Sequence, residues 1–136
     1  MEDRYYYAWI RKDLNEAQRI IQTSHACYEC ALRLPKFDDG MPSSMVLFEV
    51  ENQEELLEVS AFLYDNIPGQ FHIFYEPDAP WDDLNSGPMG YTAIATRPFT
   101  GEERKLFSGF KLYGGKKKKL SVREKFAKWA SGFHSV

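Results

Sequence analysis

The chain has 136 residues, a formal net charge of −3, 43% hydrophobic residues and 15% aromatic residues. This length predicts one domain with its own core, and the composition excludes an intrinsically disordered protein. No apolar run approaches the ~18 residues that a membrane span needs. The charged start, Met1 to Arg4, does not have the pattern of a secretory signal, so we expect a cytoplasmic protein.

The charges are divided unevenly along the chain. Residues 1–103 carry 7 Lys+Arg and 19 Asp+Glu, whereas residues 104–136 carry 10 Lys+Arg and 1 Asp+Glu. An acidic body with a basic C-terminal region is expected when only part of the surface meets a polyanion. A protein that was acidic throughout would bind RNA poorly.

The first predicted elements are a strand and a long helix. The aromatic run Tyr5–Ile10 favours a strand, and the helix after it ends at about Leu34 because Pro35 stops it. Residues 11–26 join the two elements. In α/β proteins such a junction commonly holds the functional site, since strand ends and helix N-termini converge there.

The two faces of this helix differ in polarity. Asp13 or Asn15 can serve as the N-cap, since each has Glu or Gln three residues on. An apolar stripe at three-and-four spacing is expected to lie on a sheet, and it comprises Ala17, Ile20, Ile21, Ser24, Cys27, Tyr28 and Ala31. The second stripe is most simply a solvated surface, and it comprises Gln18, Gln22, His25 and Glu29.

The remaining elements up to residue 113 predict an α/β fold: a small mixed four-stranded sheet with helices packed on both faces, in the order β-α-β-α-β-β-α. The second strand is an almost continuous apolar run, which favours a central position. A long acidic loop, residues 77–90, precedes the fourth strand, and is either a lid or a solvated connection. The elements are a strand over 45–50, a helix capped by Asn52, strands over 71–75 and 91–96, and a short helix capped by Thr100.

The two cysteines, Cys27 and Cys30, form a C-x-x-C pair. Such a pair can be a redox centre or half of a zinc site. The pair falls in the middle of the predicted helix, where no helix N-terminus stabilises a thiolate, and no second pair completes a metal site. We therefore expect structural thiols, with no metal and no cofactor.

A separate basic segment follows Tyr113. Gly114-Gly115 forms a hinge, and Ser121 with Glu124 begins a predicted amphipathic helix. This helix can pack on the body, remain solvated, lie on a membrane surface, or act as a basic arm that contacts RNA phosphates. We therefore divide the chain into residues 1–113, an α/β domain, and 114–136, a basic extension. The basic run consists of Lys116, Lys117, Lys118 and Lys119.

Three sequence blocks occur in an order that resembles the type-2 peptidyl-tRNA hydrolases, in particular their shorter bacterial and phage-like branch. The resemblance covers residues 4–113. The first block is Arg11-Lys12-Asp13-Leu14 followed by Gln18, Ile21, Gln22, Ser24 and His25-Ala26. The second is Phe74 to Asp78 followed by Tyr91 to Ala95, and the third is Gly101 to Phe107 followed by Phe110 to Tyr113.

The resemblance implies hydrolysis of the ester that joins a peptide to the 3′ ribose of tRNA. Such an activated ester needs a positioned water, a group that polarises the carbonyl and a modest base. Asp78 is then expected to orient or deprotonate water, and Thr92 to donate to the oxyanion. Asp13 and Gln22 hold substrate or water, and His25 is a second candidate base.

The resemblance also implies that tRNA is the partner, with no membrane, and leaves a homodimer open. The residues expected to contact tRNA are Arg11, Lys12, Gln18, Arg19 and Lys116 to Lys119. Gln18 lies near the place where the archaeal and eukaryotic branch has a lysine proposed for catalysis. This difference keeps an alternative open, a non-catalytic RNA- or protein-binding module on the same fold.

Overall fold

The structure is a computed structural model that describes residues 3–34 and 43–115. These residues form the predicted α/β fold with a mixed four-stranded sheet. The predicted basic C-terminal helix lies outside the described residues. The elements are β1 Tyr5–Arg11, α1 Glu16–Arg33, β2 Ser44–Val50, α2 Gln53–Asn66, β3 Phe71–Glu76, β4 Gly90–Thr96 and a 3-10 helix Gly101–Phe107.

The strands are arranged in the order β2-β1-β4-β3. The strand β1 is parallel to β2 and antiparallel to β4, and β3 is antiparallel to β4. Therefore the C-terminal ends of β1, β2 and β3 lie together with the N-terminal end of β4. Helices α1 and α2 follow β1 and β2 directly, so the N-termini of both helices lie at these strand ends too.

The predicted central position of β2 is wrong, because β2 lies at one end of the ladder. Part of its outer side, from Leu47 to Glu49, pairs with residues 111–113. The Glu49 N–H donates to the Lys111 carbonyl at 3.0 Å, and the Tyr113 N–H donates to the Leu47 carbonyl at 2.9 Å. This cover, with Phe48 and Val50 buried in the core, explains an apolar sequence without two full partner strands.

The two faces of the sheet carry cores of different kinds. On the α2 side the core is aromatic, and Tyr7, Trp9 and Phe48 pack against Phe107 and Phe110 from the segment after β4. On the α1 side the sheet offers small side chains, which are Ala8, Ala93 and Ala95. A surface of alanines lets a helix approach closely and leaves room for side chains other than large apolar ones.

The predicted orientation of α1 is wrong. Gln18 and Gln22, assigned to a solvated face, are 1% and 0% exposed, whereas Ile20 and Tyr28, assigned to the sheet, are 64% and 67% exposed. Ala26 and Cys30 continue the buried stripe. The glutamines are buried because β3 and β4 offer them hydrogen-bond partners, and a buried polar group with partners costs little.

The two cysteines are free thiols with different environments. Cys30 is buried and its Sγ donates to the Ala95 carbonyl at 3.4 Å. Burial, followed by the nearby Cys27, raises the pKa of Cys30 to about 12, and burial also raises the pKa of Cys27. Neither residue therefore has the low thiol pKa of a reactive cysteine.

We expect the raised pKa of Cys30 to make the protein less stable in alkali. The folded chain holds the thiol proton more tightly than the unfolded chain does. The stabilisation is complete below the ordinary pKa of 9.0 and is lost as pH rises through about 12. The free energy of unfolding of the wild type should therefore fall more steeply above pH 9.0 than that of Cys30→Ala. Equal slopes in urea titrations would contradict this.

Candidate functional site

The candidate site lies where β1 ends, α1 begins and β4 starts. Asn15 is the N-cap of α1, and its Oδ1 accepts from the Gln18 N–H at 2.8 Å. Of the two caps left open by the sequence, the structure thus has Asn15. Asp13 instead accepts two hydrogen bonds from the Arg11 guanidinium, at 2.9 and 2.8 Å.

A β-bulge in β4 directs Thr92 toward α1. Phe74 pairs with Ala93, and the next residue of β3, Tyr75, pairs with Tyr91. Thr92 is therefore an extra residue of β4 with no partner on β3. Strict alternation would place Thr92 on the α2 side together with Ile94. The extra residue reverses this alternation, and the Thr92 hydroxyl contacts Gln22 of α1. Bulges beside functional sites often redirect a side chain in this way.

Four side chains from α1, β3 and β4 form one hydrogen-bonded group, which we call the Gln22 cluster. Gln22 Nε2 donates to Gln18 Oε1 at 3.0 Å and to Glu76 Oε1 at 3.0 Å. Thr92 Oγ1 donates to Gln22 Oε1 at 2.9 Å. Gln18, Gln22 and Thr92 are buried, and Glu76 at the end of β3 is half-buried.

The chemistry of the partners determines how the Gln22 amide and the Thr92 hydroxyl are oriented. An ionised carboxylate only accepts, so the NH₂ group of Gln22 must face Glu76. The Gln22 carbonyl therefore faces Thr92, whose hydroxyl has to donate to it. Because that donor is already used, Thr92 in this arrangement holds Gln22 in place and offers only lone pairs to a ligand. Glu76 Oε2 has no hydrogen-bond partner among the described residues and can bind water.

Asp78 and His25 follow members of the Gln22 cluster closely in sequence, two residues after Glu76 and three after Gln22, and make no hydrogen bond to it. Asp78 follows Pro77 beyond β3, is exposed, and uses its backbone carbonyl to accept from the Met89 N–H at 3.0 Å. Its carboxylate has no hydrogen bond or ion pair within residues 3–34 and 43–115. The His25 ring is exposed and stacks on Phe74, with centroids 4.9 Å apart. Phe74 precedes Glu76 by two residues on the same face of β3.

Arg11 connects the end of β1 to the start of β4. Besides its two bonds to Asp13, the guanidinium donates to the Met89 carbonyl at 2.6 Å and to the Tyr91 carbonyl at 3.1 Å. Its side chain is 11% exposed. Four of its five N–H donors are therefore used within the protein, and the tRNA contact predicted for Arg11 would have to compete with them.

Arg19 and Lys12 differ in accessibility. Arg19 donates to the Leu14 carbonyl at 2.7 Å, to the Lys12 carbonyl at 2.6 Å and to Tyr113 Oη at 3.3 Å. Lys12 keeps 45% of its side chain exposed, and its Nζ lies 3.9 Å from Glu49 and 3.6 Å from Glu51. Lys12 is thus the more accessible cation, and Arg19 chiefly stabilises the turn before α1.

The predicted lysine run, Lys116 to Lys119, lies outside the described residues. The chain leading to it is held near Lys12, because the Gly114 N–H donates to Glu49 Oε1 at 2.7 Å. Lys111 also pairs with this carboxylate, at 3.2 Å. Gly114 therefore lies on the same side of the molecule as the junction of β1 and α1, and the lysine run starts two residues after it.

Glu76 is not among the site residues predicted from the sequence. It lies inside the second block of the resemblance, two residues before Asp78, which was assigned the catalytic role. A signal for Glu76 was present in the alternation of β3. Phe74 and Glu76 share the α1 face, and Asp78 follows a proline that ends the strand. The contact between Glu76 and Gln22 was not predicted, because helical spacing placed Gln22 on a solvated face and the resemblance gave it only a role in holding substrate or water.

No group of three or more His, Cys, Asp or Glu side chains suited to a metal ion occurs in the described part of the chain. Over the same residues, no helix combines the length and apolar character required to cross a bilayer. The side chains brought together at the site are a carboxylate, two amides and a hydroxyl. Such groups can position a water molecule or a polar ligand, and a carboxylate can accept a proton.

Comparison with known proteins identifies a shared fold. No family model matches the sequence, and no curated protein does. Among solved structures, the chain is similar to Atu0240 from Agrobacterium tumefaciens strain C58, a protein of unknown function. The TM-score is 0.54 and the identity 14%, over 82% of this chain and 98% of that chain. At this identity the similarity shows the fold alone.

Proposed function

We propose that this protein hydrolyses the ester between a peptide and the 3′ ribose of tRNA, as the type-2 peptidyl-tRNA hydrolases that it resembles do. The proposal is supported chiefly by the Gln22 cluster. Gln22 comes from the first block of the resemblance, and Glu76 and Thr92 come from the second, yet they are in direct hydrogen-bond contact. A cytoplasmic location follows from the proposal, because peptidyl-tRNA arises during translation.

In the proposed mechanism, Glu76 is the base that acts on water. Its Oε1 is held by Gln22 Nε2 at 3.0 Å, which leaves Oε2 to accept a hydrogen bond from the attacking water. The water oxygen forms a bond to the ester carbonyl carbon while its proton passes to Oε2. The carbonyl then re-forms as the bond to the 3′ oxygen breaks, and that oxygen takes the proton.

The other residues have supporting roles in this proposal. Thr92 orients the Gln22 amide, and Gln22 orients Glu76, so the base is held in one position before substrate arrives. Asp78 and His25 are exposed and follow cluster residues closely in sequence, and their proposed role is to bind the ribose hydroxyls or relay a proton. Asp13 keeps Arg11 in place through its two hydrogen bonds.

Phosphate contacts are proposed for Lys12 and for Lys116 to Lys119. Lys12 is the half-exposed cation at the junction, and the lysine run follows Gly114, which is bound to the same Glu49 that Lys12 approaches. Lysines on phosphates give affinity that is independent of sequence and falls with salt. The acidic remainder of the surface would limit binding to this side of the protein.

The test is single-turnover release of peptide from an N-blocked aminoacyl-tRNA by the wild type, Glu76→Gln and Asp78→Asn. Glu76→Gln keeps an acceptor for Gln22 Nε2 but removes the base. The rate constant should fall by at least about tenfold, with little change in tRNA affinity. Asp78→Asn is the matched control, two residues away and exposed, and should retain more activity.

Two results would overturn parts of the proposal. A wild type that binds tRNA without releasing peptide would exclude hydrolysis. A rate constant that falls for Asp78→Asn and not for Glu76→Gln would identify Asp78, and not Glu76, as the base. Binding of tRNA should be measured at several salt concentrations, because lysine contacts predict a steep dependence.

One observation favours a second candidate, a non-catalytic binding module. The Thr92 hydroxyl donates to Gln22, and Arg11 and Arg19 donate within the protein. These groups, which the resemblance implies act on substrate, are therefore already used. A module of this kind would bind RNA or a protein with no turnover, and the single-turnover assay separates the two candidates.

A further inference from the structure

The outer face of α1, defined here by Ile20, Tyr28 and Leu32, is apolar and uncovered by the described residues. The three side chains are 64%, 67% and 63% exposed. Positions separated by four or eight residues lie on one stripe of a helix. Single exposed apolar residues are common, but a stripe of large ones is typical of a surface that has a partner.

An apolar neighbour on β2 widens this surface. Met45 is 42% exposed, and its sulfur lies 4.0 Å from Cys27 Sγ on α1. The surface exists because α1 is oriented by its glutamines. With Gln18 and Gln22 turned toward the sheet, the apolar residues of the helix are left facing outward.

The described chain ends beside this surface. Tyr113 Oη accepts from Arg19 Nη1 at 3.3 Å, and Arg19 precedes Ile20 on α1. The Gly114 N–H donates to Glu49, whose side chain lies on the α1 side of the sheet because Leu47 packs there and Phe48 packs on the other side. Residues 116–136 therefore continue from a point next to the N-terminal half of α1.

The sequence of residues 116–136 matches this surface in length and polarity. A helix predicted over residues 121–133 would extend about 20 Å, and the distance along α1 from Ile20 to Leu32 is about 18 Å, at 1.5 Å per residue. Residues 116–120 supply the connection from Gly115. The predicted helix carries an apolar stripe of Val122, Phe126, Trp129, Ala130 and Phe133.

The charges of the two parts are complementary. Residues 116–136 contain 7 Lys+Arg and 1 Asp+Glu, whereas residues 1–103 contain 7 Lys+Arg and 19 Asp+Glu. On α1 Glu16 is exposed, whereas Glu29 already pairs with Arg33 at 3.0 Å. Opposite charges at the rim of an apolar contact favour the correct pairing and orientation.

We propose that residues 116–136 dock within the same molecule on the outer face of α1, with the apolar stripe against Ile20, Tyr28 and Leu32. The tether makes this contact intramolecular, so a modest apolar area is sufficient for binding. The lysine run would then lie at the end of α1 where the candidate site is. The docking does not depend on the proposed hydrolysis.

The test uses Trp129 as a reporter in the full-length chain with Trp81→Phe. Trp9 is 0% exposed and contributes little to quenching by acrylamide, so the accessible signal comes from Trp129. In the Trp81→Phe parent we expect Trp129 to be protected from acrylamide. Its quenching constant should rise severalfold when Tyr28→Asp is added. Tyr64→Asp is the matched control, because Tyr64 on α2 is 68% exposed and Tyr28 is 67% exposed.

Each outcome decides the proposal. Protection that is lost with Tyr28→Asp, retained with Tyr64→Asp and independent of protein concentration supports intramolecular docking. Protection that grows with concentration would instead indicate a second copy as the occupant. Free quenching of Trp129 in the parent, or equal effects of the two Tyr variants, would overturn the proposal. Leu32→Asp provides a second variant on the same face should Tyr28→Asp disturb folding, which far-UV circular dichroism reports.

Discussion

Replacing Leu63 by alanine should lower the free energy of unfolding by about 2–5 kcal/mol. Leu63 is 0% exposed in α2 and belongs to the core cluster that also contains Leu56, Phe62 and Trp9. Truncation removes apolar contacts and leaves a cavity that surrounding aromatic rings fill poorly. The measurement is equilibrium unfolding in urea, followed by far-UV circular dichroism.

The same helix offers a matched control for this change. Leu57 is 42% exposed, so Leu57→Ala removes the same atoms and leaves no cavity. Its effect should stay below about 1 kcal/mol. Equal losses for the two variants would show that α2 does not pack on the sheet through the face that carries Leu63.

Replacing Gln22 by leucine should cost about 2–4 kcal/mol of stability and, if the proposed function is correct, most of the activity. The change keeps the side-chain size but removes all three hydrogen bonds of the Gln22 cluster. It leaves the Thr92 hydroxyl, which is 0% exposed, without an acceptor. Glu76 loses the donor that holds its Oε1.

A double-mutant cycle with Thr92→Val measures the contact itself. Valine has the shape of threonine without the hydroxyl, so Gln22→Leu and Thr92→Val together remove both partners. The double variant should be more stable than the sum of the single losses predicts, by at least about 0.5 kcal/mol. Ser24→Ala, an exposed position on the same helix, serves as the control, and additive effects of the two cluster variants would contradict a direct hydrogen bond.

Much of the fold could be predicted because its signals are local. Asn52 caps α2 with its Oδ1 3.0 Å from the Glu55 N–H, as the capping box predicted. The strand, helix and turn patterns predicted the element order, and the crossover helix between β1 and β2 accounts for their parallel pairing. These features depend on residues a few positions apart, so composition and spacing contain the information.

The candidate site was predicted only in part, for a physical reason that Gln22 illustrates. Helical spacing separated a polar stripe from an apolar one, but spacing cannot tell which stripe faces the sheet when the sheet itself offers polar partners. Glu76 supplies a carboxylate and Thr92 a hydroxyl. These partners lie 54 and 70 positions away in sequence, so their presence cannot be read from the helix.

The sequence alone determined the α/β class, the order of elements, the Asn52 cap of α2 and the uneven distribution of charge, whereas the Thr100 side chain makes no capping hydrogen bond. The tertiary structure decided which side of α1 is buried, that β2 lies at the edge, that the bulge turns Thr92 toward Gln22, and that Arg11 joins β1 to β4. The reason for this difference is the distance along the sequence between the residues that interact. Backbone propensity and capping act between near neighbours, whereas burial of a polar side chain depends on which distant donors and acceptors the fold brings to it.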